Sequence, residues 1–186
     1  MNKKGTLFVV SGPSGAGKGT VLEYVFEVCK NLIYSVSDTT RAPREGENES
    51  HYNFISSAEF EQKISSGEYL EYAKFVDNYY GTPRKFVDEM LEQGISVILE
   101  IEVDGAAQVK AKMPESVLIF IAPPSIEELI KRLKGRGTED ERIIEKRVAK
   151  AEFEIAQSGF YDHIIINEYY KKSRIEIVDL IKSYQN

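Results

Sequence analysis

Val9-Val10-Ser11-Gly12-Pro13-Ser14-Gly15-Ala16-Gly17-Lys18-Gly19-Thr20 is the stretch on which the reading of this chain turns. The apolar run Leu7 to Val10 leads into it and reads as a short buried strand. Val21 to Lys30 follows at helical spacing, with Val21, Leu22, Val25, Phe26 and Cys29 on one broad face. Between strand and helix, Gly12, Gly15, Gly17 and Gly19 let the backbone wrap tightly and turn its N–H groups inward. That makes an anion nest at a helix N-terminus. Lys18 adds a mobile positive charge for the outer phosphates of a nucleotide. Strand, glycine loop, lysine and helix in this order predict that Gly12 to Thr20 binds a nucleoside triphosphate. An ordinary glycine-rich turn would need all four to agree by accident. One departure stands out: Gly19 occupies the place of the usual hydroxyl residue after the lysine. Thr20, one position later, is expected to face phosphate or the shell of a magnesium ion.

The chain has 186 residues, which fits one domain with room for inserted subdomains. Hydrophobic residues make up 42%, enough for a proper core, and the net charge of −6 argues against a general binder of nucleic acid or anionic membrane. The single cysteine, Cys29, excludes an intrachain disulfide and a cysteine-rich metal site. Its place on the apolar face of the first helix reads as core. The apolar run behind Lys3 and Lys4 is too short for a signal-peptide core, and no stretch approaches membrane-spanning length. A soluble cytoplasmic protein is the expectation.

Further along, Ile33 to Val36 and His51 to Ile55 read as strands. Ser56 and Glu59 form a capping box before a helix that ends at Gly67. Tyr69 to Val76 is an aromatic strand, Asn78 to Gly81 a turn or strand end, and Lys85 to Gln93 a helix. Ile95 to Glu102 and Val117 to Ala122 are apolar central strands. Ser125 and Glu128 start another helix, and Lys131 to Lys150 is heavily charged. His163 to Asn167 reads as a last buried strand, and Ser173 with Glu176 as the start of a C-terminal helix. Near-continuous apolar strands separated by helices predict an α/β fold with a parallel sheet covered on both faces.

Chemistry-bearing residues cluster outside the loop as well. Ser37-x-Thr39-Thr40-Arg41-x-Pro43-Arg44, with Tyr52 shortly after, suits a phosphate monoester, since guanidinium forks grip its oxygens bidentately. A solvated arginine pair in a turn fits the composition equally well. Glu100 and Glu102 end a strand where open α/β sheets place their ligands. Arg132, Arg136 and Arg147 stand in the charged segment, most of which reads as a solvated helix paired with Glu139, Glu141 and Glu145. His51 and His163 lack metal-like spacing and read as structural.

Taken in order, these motifs resemble the guanylate kinase family, which moves the terminal phosphate of ATP onto GMP. The resemblance rests on Gly12 to Thr20, Ser37-x-Thr-Thr-Arg41-x-Pro-Arg44, Tyr52-Asn53-Phe54, Glu71-Tyr72-Ala73 and Asn78-Tyr79-Tyr80-Gly81-Thr82. It continues through Glu100-Ile101-Glu102-Val103-Asp104-Gly105, Arg132-Leu133-x-x-Arg136-Gly137 and Ile166-Asn167. It implies a P-loop core formed by 1–34, 94–126 and 150–186, an α+β GMP-binding insertion at 35–93 and a helical lid at 127–149. Gly12, Pro13, Ser14, Gly15, Ala16, Gly17, Lys18, Gly19 and Thr20 would then hold ATP, with Arg132, Arg136 and Asn167. Arg41, Arg44, Tyr52 and Tyr80 would hold the GMP phosphate. Ser37, Glu71 and Thr82 would read guanine, and Lys18, Arg136 and Arg147 would stabilise the transferring phosphoryl group. The family carries aspartates where Glu100 and Glu102 stand. Glutamate is one methylene longer, so contact with GMP, or with magnesium through water, is expected there. The implied cofactor is magnesium and the partners are ATP and GMP, not nucleic acid or membrane. Two alternatives stay open: a non-catalytic guanylate-kinase-like binding module, and a P-loop kinase of another small phosphate such as a ribose bisphosphate.

Overall fold

The computed structural model describes residues 3–45, 52–135 and 141–185. β1 (Leu7–Ser11), α1 (Lys18–Val28) and β2 (Leu32–Tyr34) come first. β3 (Ser37–Thr39), β4 (Tyr52–Phe54), α2 (Ser57–Ser65), β5 (Tyr69–Phe75) and β6 (Asn78–Pro83) follow. Next are α3 (Arg84–Glu92), β7 (Ser96–Glu100), α4 (Val103–Lys112), β8 (Val117–Ala122) and α5 (Ile126–Lys134). The chain closes with α6 (Glu141–Ala156), a 3-10 turn (Ser158–Phe160), β9 (His163–Ile166) and α7 (Tyr170–Gln185).

β2, β7, β1, β8 and β9 lie side by side in that order, all parallel. Because side chains alternate across a strand, the apolar run in β1 feeds two cores. Phe8 and Val10 join Ile119 and Ile121 under Val21, Leu22 and Val25 of α1 and Ile177 and Ile181 of α7. Leu7 and Val9 join Leu118 and Phe120 under Val87 and Leu91 of α3 and Val103, Ala106 and Val109 of α4. Each of these Val, Leu, Ile and Phe side chains contributes about 1.5–3 kcal/mol on burial. This is the α/β, two-sided parallel sheet that the strand pattern predicts.

A second sheet, ordered β4-β3-β6-β5, stands beside the first. Its pin is Asp38, fully buried, which accepts from Asn53 Nδ2 (2.9 Å), Lys63 Nζ (2.9 Å) and Tyr69 Oη (2.8 Å). Phe60 stacks on Tyr69 and Tyr79, with ring centroids 4.5 and 5.1 Å away.

Several elements differ from the sequence expectation. α4 carries little sequence signal: its apolar stripe (Val103, Ala106, Val109) is one residue wide and holds Gly105 close by, so periodicity alone is weak. Asn78 onward is a full strand, β6, because it pairs with both β3 and β5. β9 is an edge strand rather than a buried one: Ile164 and Ile166 are 46% and 51% exposed. The Ser173–Glu176 box is not used as a cap. α7 begins at Tyr170, and the Ser173 hydroxyl lies inside it, donating to the carbonyls of Ile166 and Tyr169. The caps at Ser56 and Ser125 form as expected, each hydroxyl accepting from the N–H three residues on at 3.2 Å. Among the described residues, no helix is long and apolar enough to cross a membrane.

Candidate active site

The glycine loop lies where β1 ends and α1 begins, hemmed in at Gly12 by the backbone of β8, at Gly15 by Leu129 and Leu133, and at Gly17 by Asn167. Gly12 has φ +147°, and a Cβ there would sit 2.1 Å from the Ile121 carbonyl oxygen on β8. At Gly17 (φ +88°) a Cβ would sit 2.5 Å from Asn167 Nδ2, which donates to the Ala16 carbonyl at 2.8 Å. Asn167, at the end of β9, thus braces the outer side of the loop. Arg132 Nη2 donates to the Asn167 carbonyl at 2.9 Å, and its Nε to Glu128 Oε1 at 3.4 Å. Lys18 Nζ folds back over the loop, donating to the carbonyls of Gly12 (2.6 Å) and Pro13 (3.3 Å). Burial lowers its pKa, while Glu100, Glu154 and Glu102 act to raise it. Gly19 and Thr20 are exposed at the start of α1.

From the loop a cleft of about 690 Å³ runs toward the second sheet. Ser14, Lys18, Glu100, Glu102 and Arg147 line one end, and Ser37, Tyr52 and Thr82 the other. Arg147 Nη1 on α6 donates to Ser14 Oγ at 3.1 Å, so this arginine already reaches the loop. Arg136 lies outside the described residues.

At the far end, Glu71 on β5 pairs in register with Thr82 on β6. The Thr82 hydroxyl donates to Glu71 Oε1 at 2.6 Å, and the carboxylate is 5% exposed. Burial raises the Glu71 pKa, offset in part by the hydroxyl and N–H of Thr82. On its other side α4 comes close at Gly105, where a Cβ would lie 3.0 Å from Glu71 Oε2. Arg41 holds its guanidinium 5.6 Å from the Tyr52 ring centre and donates Nη1 to the Ala42 carbonyl at 2.8 Å. Tyr52 meets Tyr80 edge-on at 6.0 Å. Arg44 is exposed on the following loop. Arg41, Arg44, Glu71 and Tyr80 stand beside the cleft rather than in its described wall, Glu71 directly behind Thr82.

Lys150 and Glu154 were missed by the sequence reading, and Gly105 was quoted within a motif but given no role. Arg147, Lys150 and Glu154 are spaced three and seven apart, so they share one face of α6; that spacing in the charged helix would have been the signal.

A parallel sheet carrying this loop between its central strand and first helix defines a P-loop nucleotide-binding protein. The family model for guanylate kinase matches residues 4–184. Guanylate kinase of Clostridioides difficile (strain 630) is 51% identical over 185 residues, covering 99% of this chain and 90% of that protein. The Lactiplantibacillus plantarum guanylate kinase is 50% identical over 185 residues, with 98% and 90% coverage. The crystal structure of guanylate kinase from Anaplasma phagocytophilum superposes with a TM-score of 0.76 at 34% identity, covering 99% of this chain and 88% of that one. The chain belongs to the guanylate kinase family.

Proposed function

We infer that this chain is an ATP:GMP phosphotransferase, giving ADP and GDP. The observation that carries the reading is one cleft running from an intact phosphate loop to Thr82, whose hydroxyl braces the buried Glu71 carboxylate behind it. The loop and Lys18 hold the ATP phosphates. Glu71 accepts from the ring N–H and the amino group of guanine, which adenine does not offer, and an unmet buried carboxylate rejects the wrong base. Ser37 and Thr82 complete the reader; Arg41, Arg44, Tyr52 and Tyr80 take the GMP phosphate. Asn167 and Arg132 support the adenine side. A GMP phosphate oxygen attacks the γ-phosphorus, the bond to the β-phosphate oxygen breaks, and its electron pair leaves on ADP. No general base is needed, because the attacking oxygen is already ionised. Lys18, Arg136 and Arg147 offset the charge on the phosphoryl group.

Magnesium fits the donor set. Thr20 offers its hydroxyl from the first turn of α1, and Glu100 and Glu102 present hard oxygens at the cleft wall. Among the described residues no group of three or more His, Cys, Asp or Glu could hold a metal, so these donors would share the ion with phosphate and water. When bound, it supplies charge neutralisation between the outer phosphates of ATP. The insertion (35–93) and lid (127–149) close on the core and exclude water, so ATP is not simply hydrolysed. Both substrates belong to the cytoplasmic nucleotide pool, where this reading puts the enzyme.

Neither alternative, a non-catalytic module or a kinase of another small phosphate, finds support among these relatives. The test is a coupled assay of ADP release with ATP, magnesium and each of GMP, AMP, CMP and UMP. Turnover with GMP alone is expected. Release indifferent to acceptor, or no release despite ATP binding, would overturn the reading.

A further inference from the structure

The phosphate end of the cleft is charge-balanced by itself. Lys18, Arg147 and Lys150 line it together with Glu100, Glu102 and Glu154. Incoming phosphates add several negative charges, so the cations there must exchange carboxylate partners for phosphate oxygens. Lys150 is best placed to exchange. Its Nζ lies 2.5 Å from Glu102 Oε1 and 3.9 Å from Glu154 Oε1. It follows Arg147 by one turn on the same face of α6, and Arg147 already touches the loop. The side chains of Lys150 and Glu102 are 49% and 59% exposed, so their ion pair contributes little and parts readily. Glu154, whose side chain is only 7% exposed, stays in place beneath the exchange.

We propose that Lys150 is a further catalytic residue: it leaves Glu102 when the substrates bind and donates to the transferring phosphoryl group. Glu102 parks the ammonium at the cleft until then and is released toward GMP and the magnesium shell. No bond is made or broken by Lys150; it offsets charge on the phosphoryl oxygens while the γ-phosphate moves to GMP. The proposal rests on the phosphotransferase reading. Its rival is a staple, in which Lys150 only ties α6 to the start of α4.

The test compares wild type, Lys150→Ala and Lys150→Arg for kcat, for KM of ATP and GMP, and for Tm. It adds the affinity for ADP plus GMP with fluoroaluminate, a planar mimic of the moving phosphoryl group. For Lys150→Ala we expect kcat to fall about 10- to 100-fold while both KM values hold within about threefold. Affinity for the fluoroaluminate complex should fall in parallel, Tm should stay within about 2 °C, and Lys150→Arg should recover most of the rate. Wild-type kcat in Lys150→Ala would overturn the proposal. So would an effect confined to KM, unchanged fluoroaluminate affinity, a Tm loss matching the rate loss, or no recovery by arginine. If wild type itself shows no GMP-dependent turnover, the phosphotransferase reading falls and this proposal with it. A wild type active beside an equally active Lys150→Ala sinks the proposal alone.

Discussion

In the proposed reading the phosphate site is one continuous loop, Gly12 to Thr20, whereas the base site draws Glu71, Thr82 and Gly105 from β5, β6 and α4. The loop offers backbone N–H groups plus Lys18, and its shape depends on glycines at positive φ, with Gly12 pressed against the β8 backbone. The base end offers one carboxylate whose position depends on three elements packing together. The first should fail through backbone crowding or loss of charge, and the second through small changes in hydrogen bonding or volume. The two ends should also fail separately, one in turnover and the other in recognition of GMP.

The sharpest break is Lys18→Met. Turnover should fall by about 10³-fold or more while GMP affinity, read by calorimetry, changes less than about threefold. Near-normal turnover would remove the loop from the mechanism.

Glu71→Gln should do the reverse. The amide replaces one charge-assisted acceptor with a donor facing guanine, so kcat/KM for GMP should fall about 10²-fold with the KM for ATP steady. The pH profile gives a second check. Burial raises the Glu71 pKa, and in the proposed reading only the ionised form accepts both guanine donors. GMP affinity should therefore decline with falling pH before an ordinary carboxylate would protonate, and Glu71→Gln should flatten that decline.

A smaller effect is expected from Gly105→Ala. Its Cβ would press on Glu71 Oε2 and, at 3.2 Å, on Ile101 Cδ1. The KM for GMP should rise about tenfold, since overpacking typically costs about 1–3 kcal/mol. An unchanged KM would mean that α4 does not position the carboxylate.

Glu154→Gln should show least in turnover and most in stability. Burial first, then Glu102 and Asp104, raises the Glu154 pKa against the pull of Lys150 and Lys18. A raised folded-state value means the folded protein holds this proton more tightly than the unfolded chain. That contribution is complete below the unfolded pKa and is lost as pH rises through the folded one. Glu154→Gln should accordingly raise Tm by about 2–4 °C at pH 8 and leave it unchanged at pH 4, measured by thermal melts.

The loop was legible because everything it needs is local: apolar strand, glycines, lysine and helix follow one another in the chain. The central strands were legible for the same reason. Glu71 was different. Its composition alone reads as an exposed acid on an aromatic strand, and only the resemblance singled it out. Its burial comes from Thr82, eleven residues on, and from Gly105 on a helix with a stripe too narrow to announce itself. β9 reads as buried because Ile164 to Ile166 is apolar, yet strand position within a sheet is a property of the assembled fold. Lys150 sat unnoticed in a run of charges, since a solvated helix face and a cleft wall have the same composition.

By itself, then, the sequence determined the phosphate loop, the two-sided parallel sheet and the family to which the chain belongs. These follow from patterns of neighbours along the chain, where steric and hydrophobic preferences act directly. Only the tertiary structure decided that Gly105 abuts Glu71, that Arg147 reaches Ser14, and that Lys150 pairs with Glu102 in the cleft wall. Those pairings join residues from separate elements, and their energies exist only once the two sheets and α6 have packed around one cavity.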